Sequence, residues 1–303
     1  MRPAWSVIFL TTLIGAGQGL YLAMLAVMPP RTLLIGGCLL ALVLCGLGLV
    51  ASFFHLGRPE RAWRSAAMWR TSWLSREVIA LPVFMALTLA YAYAAYERSP
   101  AWILPLGLLG IATCIGLFYC TSMIYACVKF LQEWASPYTL PNFFFMGTAS
   151  GFTLAAALAC RFSTSTLPKF AIGAIFLTGA AFFIRLASLA YNKRIVPKST
   201  LQTAIGVRDA KIRQVSQGFT GDSFNTLEFF HGASPATMDA LPSLFLTLGF
   251  VAPMILVGIG AAIQSSGLCF SAFIVQYAGL LVERWFFLAQ ANHPQNLYYQ
   301  GRA

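Results

Sequence analysis

The sequence predicts an all-α integral membrane protein, a bundle of eight transmembrane helices with both termini in the cytoplasm. Three observations predict it. The 303 residues are 58% hydrophobic and only 10% charged, with a mean hydropathy of +0.73, whereas soluble domains carry about 25% charged residues. The apolar residues form unbroken runs, not the alternation of barrel strands. Lipid also admits only helices and closed barrels, because each backbone N–H and C=O must pair inside the segment.

A crossing helix needs about 20 residues, and eight runs qualify, near 5–28, 33–55, 75–95, 101–125, 142–161, 168–191, 240–263 and 267–289. The first follows Arg2 but is too long for a signal-peptide core and has no A-x-A site before Pro29, so it is read as a retained helix. Its GAGQG at 15–19 follows no strand, which excludes a dinucleotide fingerprint. Gly15 and Gly19 form G-x-x-x-G, which lets a neighbouring helix approach closely, and Gln18 is expected to hydrogen-bond another helix or face a ligand. The second run ends at His55, and the third opens with Glu77. Between them stand Arg58, Arg61, Arg64, Arg70 and Arg76, with Trp63, Trp69 and Trp73 at headgroup level. The sixth run carries Arg185 in its last third and is followed by a long polar loop, 192–239. The eighth carries Glu283 and Arg284, also in its last third.

Lys and Arg set the orientation. The N-terminus, the C-terminus and the loops after runs two, four and six hold 14 of them; the opposite loops hold 4, at Arg31, Arg98, Arg161 and Lys169. Positive charge resists translocation, so the richer side is cytoplasmic. Without the long loop the balance is 8 to 4, with the same sign. The partners expected on this basis include membrane lipid and exclude nucleic acid.

The seven cysteines lie in or at the edges of spans with no C-x-x-C pair, which argues against a zinc site or iron–sulfur cluster in this chain. A membrane b-type haem usually takes two facing histidines. Of His55, His231 and His293, only His55 is at a span, so no haem and no metal site are expected.

The remaining ionisable groups of the spans, His55, Glu77, Arg185, Glu283 and Arg284, all fall toward one membrane face, and the midplane holds none. Ionisable residues in spans are costly and mark function by default. Each has an ordinary reading as well. Glu77 follows Ser75, a plausible N-cap, and a first-turn carboxylate suits the helix dipole. Glu283 and Arg284 could snorkel or pair, and the loop arginines could bind anionic lipid. Together, His55 and Glu77 sit at adjoining ends of antiparallel neighbours, and that pairing suits quinone chemistry. A histidine donates to or accepts from a ring oxygen, a carboxylate at the membrane edge passes the proton on, and Arg58, Arg61 and Arg76 stabilise developing negative charge. Arg185, Glu283 and Arg284 then form a supporting polar cluster. A transporter would place charge at the midplane between repeated halves, and neither feature is present.

The stretch HLGRPERAWRSAAMWRTSWLSRE resembles the signature of the dimethyl-sulfoxide-reductase membrane-anchor family. Its H-L-G-x-P-x-R-A falls on His55, Leu56, Gly57, Pro59, Arg61 and Ala62, with the glutamate 22 residues after the histidine at Glu77. The resemblance implies eight spans without haem, forming the third subunit of a molybdopterin oxidoreductase. It implies His55 and Glu77 as the quinol-site pair and Arg61 as a motif residue. It also implies partner subunits that carry molybdopterin and iron–sulfur clusters. The fuller R-P-E-R-A-W-R and S-W-L-S-R-E-V are similar to the branch found in cytoplasmic sulfite-oxidising complexes, as are the loop KSTLQTAIG…QGFTGDSFNTLEFFHG and the tail HPQNLYYQ. That branch implies electrons passing from sulfite through a cytoplasmic iron–sulfur subunit to membrane quinone, ubiquinone or menaquinone. The alternative is a quinol-oxidising anchor of an exported S-oxide or N-oxide reductase.

Overall fold

Hydrogen bonding confined to each segment makes the apolar runs helices, and the computed structural model describes them within residues 1–207, 211–216 and 224–299. The charges at Arg208 and Arg302, and the loop residues 208–210 and 217–223, lie outside the described residues. The protein is 77% helical, with no strand among the described residues and eight helices long and apolar enough to cross a membrane.

The first six are α1 (Trp5–Val27), α2 (Arg31–Phe53), α3 (Trp73–Tyr96), α4 (Pro100–Ala126), α5 (Thr139–Phe162) and α6 (Leu167–Asn192). Two single-turn helices follow, α7 (Leu201–Ile205) and α8 (Phe224–Glu228). The seventh crossing, Pro235–Ala262, is α9 (Pro235–Leu246), a π-helical turn (Thr247–Val251) and α10 (Ala252–Ala262). The last is α11 (Ser266–Ala289).

Boundaries follow local chemistry. Met28 adopts φ 48° and donates its backbone N–H to Met24 O, and Pro29 and Pro30 then start α2 on a new axis. Ser234 caps α9 and Ser265 caps α11. The seventh crossing starts at Pro235, five residues before the apolar run at 240, because Ser234–Pro235 is a strong helix start that hydropathy does not register.

The bundle is organised around α1 and α5. Their spans are 67% and 78% buried, whereas the other six are 28–39% buried. Small residues explain the difference. A side chain at Gly19 would overlap the backbone of Gly147, and one at Gly151 would overlap Gly19 and Leu20. The G-x-x-x-G of α1 thus meets a second one, Gly147–Gly151 of α5, which fits the close approach its spacing predicts. The other helices surround this pair, with α2 on α1, α3 on α4, and α6, α10 and α11 on the α5 side. Large apolar side chains such as Leu39, Val43, Leu104 and Phe176 point outward, as a lipid-solvated surface requires. At the π-helical turn, Gly279 of α11 lies against the backbone of Leu248 and Gly249, and a side chain at Gly279 would overlap it.

One end of the bundle gathers the N-terminus, the long segment and the tail. The backbone N–H of Arg2 donates to Glu228 O at 2.9 Å. His293 stacks on Phe229 at 3.8 Å, and Asn296 Nδ2 donates to Phe229 O at 3.1 Å. Tyr298 Oη donates to Ala204 O at 3.0 Å. Aromatic stacking and backbone capture hold this polar surface in one piece.

Candidate functional site

Glu77 does not open its helix. The cap of α3 is Ser72, whose Oγ accepts the N–H of Ser75 at 3.3 Å, and the first turn holds no acidic residue. Glu77 is the fifth helical residue, one turn in, so the expectation of a Ser75 cap and a dipole role for the carboxylate is corrected. The carboxylate turns inward and is 7% exposed. Its Oε1 accepts the hydroxyl of Thr121 on α4 at 2.5 Å.

The residue before it looks the other way. Arg76 is anchored to the turn preceding α3: Nε donates to Trp69 O at 2.9 Å and Nη2 to Arg70 O at 2.8 Å. Its guanidinium lies 4.1 Å over the Trp73 ring. It sits at one end of an outward-facing groove of about 500 Å³ between α3 and α4, lined by Ile79, Ala80, Val83, Leu109, Ala112 and Cys120 among others. Groove and interior are separated by one step along each helix, since Arg76 and Cys120 line the groove while Glu77 and Thr121 line a small cavity inside the bundle.

That inner cavity, about 20 Å³, also touches Gln18, Ser150 and Arg284. Gln18 Nε2 donates to Cys114 O at 2.9 Å, so the polar residue of α1 bonds another helix and faces the cavity as well. Beyond Arg284 runs a buried ion cluster. Glu283 Oε1 lies 2.8 Å from Arg185 Nε, and Oε2 lies 3.3 Å from Arg284 Nη2. Arg185 also donates to Ser188 Oγ at 3.2 Å. Aromatic faces cover the cations, with Arg284 4.0 Å over Phe143 and Arg185 5.3 Å over Phe245. Pairing, not snorkelling, accounts for Glu283 and Arg284.

His55 lies just beyond α2, exposed, and partial desolvation pushes its pKa below the usual histidine value. It is therefore neutral near pH 7, with one nitrogen to donate and one to accept. Among the described residues no hydrogen bond or ion pair joins it to Glu77, although α2 packs along α3. Arg58 and Arg61 are exposed around the 3₁₀ turn Pro59–Ala66, where Arg61 approaches Glu60 at 3.8 Å, too exposed to matter much. The cavity thus brings Glu77 together with Arg284, which is paired in turn with Glu283 and, through it, Arg185, while His55, Arg58 and Arg61 lie exposed. Sequence reasoning missed Thr121, since a threonine in an apolar helix ordinarily bonds its own backbone and leaves no signal.

A model of the DMSO reductase anchor subunit family, DmsC, matches residues 1–299. The chain belongs to that family. As a DmsC-family protein it is a multi-pass membrane anchor subunit of an oxidoreductase complex. It is 51% identical to a sulfite dehydrogenase subunit of Allochromatium vinosum, over 100% of both chains. It is also 31% identical to the anaerobic dimethyl sulfoxide reductase chain YnfH of Escherichia coli, over 52% of this chain and 57% of that one.

Proposed function

We propose that this protein is the quinone-reactive anchor of a molybdopterin/iron–sulfur oxidoreductase, passing electrons from an iron–sulfur subunit to membrane quinone during oxidation of sulfite to sulfate. The observation that carries it is the α3–α4 seam, where a buried carboxylate stands one residue behind an apolar groove open to lipid. The groove fits a prenylated ring. From Leu109 to Cys120 it runs roughly 16 Å at about 1.5 Å per helical residue, its walls are almost wholly apolar, and a fixed cation stands at one end.

Reducing a quinone takes two electrons and two protons, and oxidising sulfite releases two electrons. In this proposal His55 donates a hydrogen bond to a ring oxygen from the end of α2. Glu77 relays a proton toward it from inside the bundle, and Arg76 stabilises negative charge developing on the ring, with Arg58 and Arg61 adding to the field at the surface. Molybdopterin and iron–sulfur clusters belong to the partner subunits, and the quinone is ubiquinone or menaquinone. Full-length identity of 51% to a sulfite dehydrogenase subunit favours sulfite as the electron source.

Irradiating the complex with an azido-quinone tests the site. Label is expected in peptides covering 69–83 and 109–120; label confined to other helices would overturn the assignment.

The catalytic partners dock, on this proposal, on the cytoplasmic face at the end bearing His55, the tail and the long segment, because 14 Lys and Arg lie on that side and 4 on the other. A second reading, a quinol-oxidising anchor of an exported dimethyl sulfoxide or similar oxide reductase, is favoured by the match to YnfH. Reporters fused after Ala303 separate the two. A fluorescent fusion protein and silent alkaline phosphatase are expected, and the opposite pattern would place the docking face in the periplasm.

A further inference from the structure

The inner cavity leaves two strong polar groups incompletely matched. Arg284 is 5% exposed and its Nη1 has no hydrogen-bond partner among the described residues. Glu77 is bonded only through Oε1, by Thr121, and no hydrogen bond to Oε2 is present among the described residues. Both side chains line the same 20 Å³ space. A cavity needs about 10–15 Å³ and two to four polar partners to hold a water, so this one has room for a single molecule. A buried guanidinium N–H left unmatched costs more than an ordinary unmade hydrogen bond, and the cluster beyond it has two cations for one carboxylate.

We propose that one ordered water fills this cavity and bridges Glu77 to Arg284, making Arg284 a positioning residue for the Glu77 carboxylate. The water accepts from Arg284 Nη1 and donates to Glu77 Oε2, with Ser150 and Gln18 within its walls. Thr121 fixes one carboxylate oxygen and the water fixes the other. The carboxyl group is thereby oriented at the inner edge of the seam, and the Arg284–Glu283–Arg185 cluster becomes its support. The inference rests on Glu77 being the proton relay of the proposed quinone site.

Two variants separate geometry from charge. Arg284→Met removes the water's donor, with Arg284→Lys as the conservative partner. Gly15→Ala keeps all charges. Gly15 lines the cavity, and a β-carbon there meets only Gly147 Cα, at 3.4 Å, within 4 Å, so the added methyl is expected to be accommodated and to narrow the space the water needs. Misplacing a reacting group can lower rate by up to ~100-fold. In the purified complex, losses approaching that size are expected in quinone-coupled turnover for Arg284→Met and Gly15→Ala, a smaller loss for Arg284→Lys, and unchanged electron transfer to an artificial dye. A high-resolution cryo-electron-microscopy map of the unaltered complex should show density for one water between Glu77 and Arg284. Its absence overturns the proposal even if a variant fails to assemble. Normal quinone turnover in Gly15→Ala, with Glu77→Gln inactive, overturns it while leaving Glu77 as the relay. Normal turnover in Glu77→Gln removes the quinone-site reading and this inference with it.

Discussion

Replacing Glu77 with Gln is expected to abolish quinone-coupled turnover while dye-linked electron transfer from the soluble subunits persists. The substitution is nearly isosteric, and the amide still accepts the Thr121 hydroxyl that reaches Oε1 at 2.5 Å, so the α3–α4 contact survives. What is lost is the ability to gain and release a proton. General acid–base catalysis contributes about 10²–10⁴-fold, and among the described residues Glu77 is the one carboxylate that lines the cavity. His55→Ala is expected to have the same signature by a different route, since the lost group is the donor to the ring oxygen. The two differ in stability. Glu77 is buried and His55 exposed, so His55→Ala should leave the melting temperature of the complex unchanged. Turnover and melting are both measurable on one preparation, and normal quinone turnover in both variants would remove them from the site.

Much of this was legible because lipid simplifies the problem. Continuous apolar runs can only be helices there, so the crossings followed from hydropathy and length. The small residues of α1 announced a close helix contact through spacing alone, although nothing in the sequence says that Gly147 and Gly151 supply the other half. Direction within a helix was less legible. The sequence places Arg76 and Glu77 side by side, but which of them faces lipid depends on the rotation of α3, and that is set by tertiary packing. The same uncertainty hid the helix start. Ser72, Trp73 and Ser75 all suit the first turn, and only Ser72 caps it. The sequence did group Glu283 with Arg185 and Arg284 at one membrane face, but not which atoms pair, because Arg185 lies 98 positions away on α6, brought near by the packing of α5 between α6 and α11.

That last contact predicts the largest stability effect. Glu283→Gln is expected to destabilise the protein by about 3–5 kcal/mol, the range for breaking a buried ion pair by removing one partner. The reason is charge balance. Glu283 faces two guanidinium groups, and its side chain and that of Arg185 are 1% and 0% exposed. Neutralising it leaves two buried cations without a carboxylate between them. Removing Arg185 is different, because Arg185→Met leaves the Glu283–Arg284 pair, 3.3 Å apart and neutral overall, and Met fills much of the same volume beside Phe245. Arg185→Met should therefore cost clearly less than Glu283→Gln, even though each deletes one member of the same 2.8 Å contact. The double variant carries a single cation, Arg284, beside a neutral amide and should recover part of the loss, giving a coupling that a double-mutant cycle reads directly. Unfolding followed by denaturant in mild detergent gives the ordering. If Arg185→Met proves the more damaging, the cluster is held by the packing of the arginine against its aromatic neighbours and not by charge.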